Sequence, residues 1–169
     1  MVGREPDGVW VTLKEVVHAA PGEVASSIAD ATGLCRWLTV GADLPEDPDP
    51  DGHARATFAW DREWKQTIEV ALLDHDTARR HDGHALIRFG WHPDPLSESV
   101  VPVEIAISPL PDRGGDTGGA RVILRHGPFA EDADALLVMA HSAERWRWYL
   151  CNLRSVLEAK HDMRAIRPL

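Results

Sequence analysis

An apolar stripe with helical spacing lies near the C-terminus of the chain. It consists of Ala143, Trp146, Leu150, Leu153 and Leu157. Intervals of three and four residues place these side chains on one face of an α-helix, and the residues between them are largely charged. The pattern predicts a long amphipathic helix that begins near residue 131 and packs against a large apolar surface.

Ahead of this helix the hydrophobic pattern has a period of two. Alternation of apolar and polar residues is typical of strands with one buried face. We predict strands over residues 9–17, 53–60, 64–72, 85–91, 101–107 and 121–126. Because consecutive strands are separated by short turn-rich segments, including 46–52 and 109–119, they should form an antiparallel sheet.

Two short helices are expected between the first strand and the rest of the sheet. Pro21 suits the first turn of a helix that runs through Ile28. Thr32 and Gly33 are expected to break it, and residues 34–38 form a second short helix.

Length and composition indicate one globular domain. The chain of 169 residues is long enough to bury a core without disulfides, and the domain spans residues 1–169 with a core from about 9 to 164. A net charge of −9 argues against nucleic acid and anionic membranes as partners, because phosphate binding needs basic surface. The N-terminus lacks an apolar signal segment, so we expect a cytoplasmic protein with Cys35 and Cys151 reduced.

Candidate metal and cofactor motifs are weak. Asp47, Asp49 and Asp51 resemble the start of a calcium loop, but the twelfth position is Phe58, which cannot ligate a cation. His75, His81 and His84 lie in one polar turn, which favours a solvated hairpin over a structural metal site. Phosphate-binding loops, dinucleotide-binding glycine patterns and nucleophile elbows are also missing from the sequence, so we predict no metal and no cofactor.

The order of these elements resembles the START-like, or Bet v 1-like (SRPBCC), superfamily, and within it the bacterial domains related to the C-terminal domain of the Hsp90 ATPase activator. The residues that carry the resemblance are Ala19-Ala20-Pro21 with Val24, Trp37, Ile87-Phe89-Trp91, His126-Gly127 and the stripe around Trp146. Similar proteins usually have glycine where this chain has Arg145. The resemblance implies an α+β helix-grip fold, in which a curved antiparallel sheet wraps around a long C-terminal helix and two short helices follow the first strand.

A binding site is predicted between the sheet and the C-terminal helix. Residues on the inward side of the strands and helix would line an aromatic-rich cavity for a small apolar or aromatic molecule, although aromatic residues at these spacings also fill ordinary cores. The candidate ligand-binding residues are Trp37, Phe58, Trp60, Trp64, Gln66, Ile87, Phe89, Trp91, Val103, Ile105, Leu124, His126, Trp146 and Leu150.

His126 is the candidate catalytic residue, because it shares the inward side of its strand with Val122 and Leu124. Three functions follow from this arrangement. The first is ligand binding, and the second is a polyketide cyclase-like or hydrolase-like enzyme in which His126 and Gln66 act on a bound ring. The third is a protein-interaction or co-chaperone-like module, with a homodimer as one form. Binding is favoured over catalysis, because acid–base chemistry usually needs two positioned titratable groups and only His126 qualifies.

Overall fold

A computed structural model describes residues 1–44, 54–59, 65–70, 84–93, 100–111 and 118–165 of the chain. Within these residues the strands are β1 (Val2–Glu5), β2 (Gly8–Val17), β3 (Gly41–Asp43), β4 (Ala54–Ala59), β5 (Lys65–Val70), β6 (Ala85–Trp91), β7 (Val101–Pro109) and β8 (Ala120–Phe129). The helices are α1 (Pro21–Ala29), α2 (Ala31–Trp37) and α3 (Ala133–Ala159), followed by a 3₁₀ turn at Met163–Ala165.

The strands form two antiparallel sheets. The larger has the order β1-β2-β8-β7-β6, and the smaller has the order β3-β4-β5, with β5 lying beside β6. The predicted alternation is confirmed in the larger sheet, where Ile87, Ile105, Leu124 and Leu13 sit opposite one another across four strands and are all buried. Cross-strand contact between apolar side chains on one face is what stabilises such a sheet.

The long helix α3 lies against this face, as the C-terminal stripe predicted. Asp132 caps its first turn by accepting a hydrogen bond from the Ala135 amide at 2.9 Å, which satisfies one of the free N–H groups of a helix N-terminus. The helix contacts β2, β8 and α2. Its buried residues are Met139, Ser142, Trp146, Tyr149, Leu150, Asn152, Leu153, Val156 and Leu157. The curved sheet and the long helix form the predicted α+β helix-grip fold.

The boundary between α1 and α2 differs from the prediction. Thr32 and Gly33 lie inside α2, and the break falls at Asp30, whose backbone is extended and whose carboxylate accepts from the Gly33 amide. The Asp30 side chain is thus the N-cap of the second helix. Gly33 has a packing role, because a Cβ there would lie 2.6 Å from both the Ser26 carbonyl oxygen and Ser27 Cα.

Strands β1 and β3 were absent from the prediction. All four residues of β1 are exposed, so they show no apolar alternation, and the strand exists because it pairs with β2 as a hairpin. The three residues of β3 pair with β4. No α-helix among the described residues is long and apolar enough to cross a membrane.

Candidate functional site

One row of side chains runs across the inner face of the large sheet toward α3. Phe89, Val103, His126 and Val11 sit opposite one another on β6, β7, β8 and β2. Three of them are almost completely buried and Phe89 is half-buried. The strand register therefore places one imidazole in an otherwise apolar row.

Aromatic rings from the sheet and the helix meet beside this row. Trp91 and Trp146 have ring centroids 4.9 Å apart, and Phe89 lies 6.1 Å from Trp91 and 6.0 Å from Trp146. Phe58, on β4, contacts Trp91 at 6.0 Å. These tilted and edge-on arrangements are the ones that aromatic rings prefer. We call Phe58, Phe89, Trp91 and Trp146 the aromatic cluster.

His126 extends the aromatic cluster toward the end of β8. Its ring lies 6.4 Å from Trp146 and 4.8 Å from Phe129, both edge-on. Its Nδ1 atom lies 3.0 Å from the hydroxyl oxygen of Ser142 on α3. Burial, and secondarily the positive charge of Arg145, lowers the pKa of His126 from 6.5 to about 3. The imidazole is therefore neutral at pH 7.

Two buried nitrogen atoms in this region have no hydrogen-bond partner among the described residues. They are Nε2 of His126 and Nε1 of Trp146, on side chains that are 0% and 1% exposed. Buried polar atoms in folded proteins nearly always have partners, because an unsatisfied one costs free energy. The described residues thus leave the hydrogen-bonding capacity of both side chains unused.

Arg145 approaches the same region from α3. It is half-buried, and its guanidinium donates a hydrogen bond to the Pro93 carbonyl oxygen after β6. A glycine at this position could not make that contact. The arginine places a positive charge close enough to His126 to lower its pKa.

Trp37 is held in a different way from Trp146. Its indole N–H donates to the Ser27 carbonyl oxygen at 2.8 Å, and its own carbonyl oxygen accepts from Asn152 Nδ2 at 2.7 Å. Asn152 also accepts from the Met163 amide at 2.7 Å. These bonds connect α1, α2, α3 and the 3₁₀ turn, so Trp37 and Asn152 together hold the two short helices against α3.

Most of the predicted ligand-binding residues share one interior. Ten of them are buried or half-buried in one hydrophobic core: Trp37, Phe58, Ile87, Phe89, Trp91, Val103, Ile105, Leu124, Trp146 and Leu150. His126 is a buried polar residue in the same interior. Trp60 and Trp64 lie outside the described residues. Gln66 belongs to β5, where the structure describes the backbone alone. The ligand-binding role of all these residues stays a prediction.

Ser142, Phe129 and Arg145 also belong to this region and were not among the predicted site residues. Ser142 precedes Trp146 by one helical turn and is a small polar residue on a buried stripe, which was an available signal. Its contact with His126 joins residues 16 positions apart on different elements. Spacing alone does not reveal such a contact.

Metal-ligating side chains do not gather in the described part of the chain, where no group of three His, Cys, Asp or Glu residues could hold an ion. Asp47, Asp49, Asp51, His75 and His81 lie outside the described residues. Cys35 and Cys151 are free thiols, as expected.

No protein-family model and no curated protein sequence matches this chain. Solved structures do match. Protein MLL2253 from Mesorhizobium loti has a TM-score of 0.62 at 15% identity over 90% of this chain and 98% of that one. The Aha1 dimer from Colwellia psychrerythraea has a TM-score of 0.57 at 18% identity, covering 88% and 96%.

A third match is the di-domain ARO/CYC protein BexL from the BE-7585A biosynthetic pathway. It has a TM-score of 0.57 at 18% identity over 86% of this chain and 45% of that protein. Similarity at these identities concerns the backbone arrangement. The chain has the helix-grip fold that the order of its elements predicted, and these solved structures share its backbone arrangement.

Proposed function

We propose that this protein binds a small apolar or aromatic molecule between the large sheet and α3. The observation that carries the proposal is the pair of buried nitrogens, His126 Nε2 and Trp146 Nε1, that lack partners among the described residues. Leaving such a group unsatisfied costs about 1 to 3 kcal/mol. A bound molecule that offers a polar atom here recovers part of that free energy.

The surroundings of the two nitrogens suit an apolar ligand. Trp91, Phe89 and Phe129 present ring faces and edges around them, and Val103 and Val11 flank His126 in its row. Small-molecule sites in proteins combine this apolar lining with a few polar groups that orient the ligand.

Catalysis by His126 is less well supported than binding. Ser142 and His126 lie at the distance of a nucleophile and its base. However, a histidine whose pKa is about 3 is a weak base and carries no second proton at pH 7. The cyclase-like and hydrolase-like alternatives would need a ligand-induced rise in that pKa.

Nuclear magnetic resonance can test binding at the proposed place. Each indole N–H gives its own ¹⁵N–¹H signal, and Trp→Phe variants assign the signals of Trp146, Trp37 and Trp148. Titration with the bicyclic probe α-tetralone should shift the Trp146 signal saturably. Trp37, whose N–H already donates to the Ser27 carbonyl oxygen, serves as the internal control.

Native mass spectrometry of freshly purified protein complements the titration. A retained small molecule would support the proposal and identify the natural ligand class. The same spectrum reports the oligomeric state, which tests the predicted homodimer. If the Trp146 signal does not move with any bicyclic probe and no molecule is retained, the binding function is wrong.

A further inference from the structure

The hydrogen bond between Ser142 and His126 decides which nitrogen of the imidazole carries the proton. In the described part of the chain, Ser142 Oγ has one partner, His126 Nδ1 at 3.0 Å, although serines in helices often donate to the carbonyl four residues earlier. Ser27 on α1 does so, to the Glu23 carbonyl oxygen. Among the described residues, the acceptor open to the Ser142 hydroxyl proton is therefore Nδ1.

A neutral imidazole has one N–H and one bare nitrogen. If Nδ1 accepts from Ser142, the ring proton lies on Nε2. The opposite tautomer would leave both the Ser142 hydroxyl proton and Nε2 without partners in a site where each residue is at most 1% exposed. Burial disfavours that arrangement, since every orphaned polar group adds to its cost.

Both unpartnered nitrogens are then hydrogen-bond donors, because an indole nitrogen can only donate. They sit on rings that contact each other edge-on, with centroids 6.4 Å apart, so the two nitrogens belong to one part of the interior. Arg145 adds positive charge near the same place and is not paired with a carboxylate among the described residues. Oxygen lone pairs complement this combination, whereas an N–H group that can only donate does not.

We infer that the site selects aromatic molecules that bear a hydrogen-bond-acceptor oxygen, such as an aryl ketone, and that His126 Nε2–H and Trp146 Nε1–H donate to that oxygen. The inference rests on the proposed function and adds the polarity of the ligand. Aromatic molecules without an oxygen, and those with a donor only, should bind more weakly at the same place.

Three probes of similar size separate the possibilities: α-tetralone carries an acceptor oxygen, tetralin has no polar atom, and indole carries a donor only. Calorimetric titration should show α-tetralone binding about tenfold more tightly than either of the others, the effect expected for one or two neutral hydrogen bonds. Equal affinity for α-tetralone and tetralin would refute oxygen recognition while leaving the binding function intact. Failure of all three to bind would contradict the binding function itself.

The tautomer can be measured directly in the unliganded protein. Long-range ¹H–¹⁵N spectra at pH 7 distinguish a protonated from a bare ring nitrogen, and His126 should show protonated Nε2 and bare Nδ1. Protonated Nδ1 would overturn the inference, and in that case indole should be the preferred probe. The His126→Phe variant, which lacks both nitrogens, assigns the signals.

Ser142→Ala removes the hydroxyl that holds the tautomer. This variant should bind α-tetralone about twofold more weakly and tetralin equally well, because Nδ1 and Nε2 then share the proton and only about half of the molecules present Nε2–H before binding. Ser155→Ala is the matched control, since Ser155 is a half-buried serine on the same helix, more than three turns away. Long-range ¹H–¹⁵N spectra of Ser142→Ala that show Nε2 still fully protonated would mean that Ser142 does not hold the tautomer, and would also contradict the inference.

Discussion

Two buried tryptophans offer a test of whether the Trp146 indole lacks a partner. Trp37 and Trp146 are each 1% exposed, so replacing either by phenylalanine removes a similar buried area and leaves a similar void. The Trp37 N–H donates to the Ser27 carbonyl oxygen at 2.8 Å, whereas the Trp146 N–H has no partner among the described residues. The difference between the two variants therefore isolates the hydrogen bond.

The expected magnitudes follow from that difference. Trp37→Phe leaves the Ser27 carbonyl, in the last turn of α1, without its donor, which adds about 1 to 3 kcal/mol to the cost of the void. Trp146→Phe removes a buried donor that was unsatisfied, which offsets part of its void by a similar amount. The free energy of unfolding should thus fall by about 2 to 6 kcal/mol more in Trp37→Phe than in Trp146→Phe.

Urea denaturation followed by circular dichroism measures this difference without relying on tryptophan fluorescence. The slopes of the two transitions must agree with the wild type for the comparison to hold. Equal losses, or a greater loss in Trp146→Phe, would show that the Trp146 N–H has a partner in the unliganded protein and would refute the reasoning. Saturating α-tetralone should raise the free energy of unfolding of Trp37→Phe, which keeps the Trp146 N–H, more than that of Trp146→Phe. The difference between the two variants should therefore narrow.

Three further predictions concern the same fold. The pKa of His126 is lowered from 6.5 to about 3, so the unfolded chain binds more protons than the folded one between these pH values. The free energy of unfolding should therefore fall as the pH drops from 6.5 toward 5, with a slope of at most about 1.4 kcal/mol per pH unit. His126→Gln should show a smaller slope in urea titrations. Gly33→Ala should cost about 1 to 3 kcal/mol by overpacking, whereas Gly22→Ala, which has nothing within 4 Å, should leave the melting temperature nearly unchanged; equal melting temperatures would contradict the close helix contact. Asn152→Ala should cost about 2 to 3 kcal/mol and accelerate hydrogen exchange in the 3₁₀ turn, and unaltered exchange there would show that the Asn152 bonds do not hold this turn.

The periodicity of the sequence was sufficient for the main elements. Strands β2, β6, β7 and β8 and helix α3 were predictable because each buries one face, and a buried face imposes a period of two on a strand and 3.6 on a helix. The alternation of side chains along β8 also placed His126 on the inner face, where it is fully buried. Elements without a buried face of their own, such as β1, left no such pattern.

The chemistry of the site depended on the tertiary structure. The alternation of side chains along a strand assigns each one to a face of the sheet, but the strand register and the rotation of α3 determine which atoms meet. The register of β2 and β8 even shifts between Val9 and Val11, next to the His126 row. Ser142 contacts His126, and the Trp37 N–H donates to Ser27, across different elements of the fold. The Trp146 N–H meets no partner among the described residues, and this too depends on how those elements pack. Hydrogen bonds are decided by distances of a few tenths of an ångström, and periodicity in a sequence carries no information at that scale.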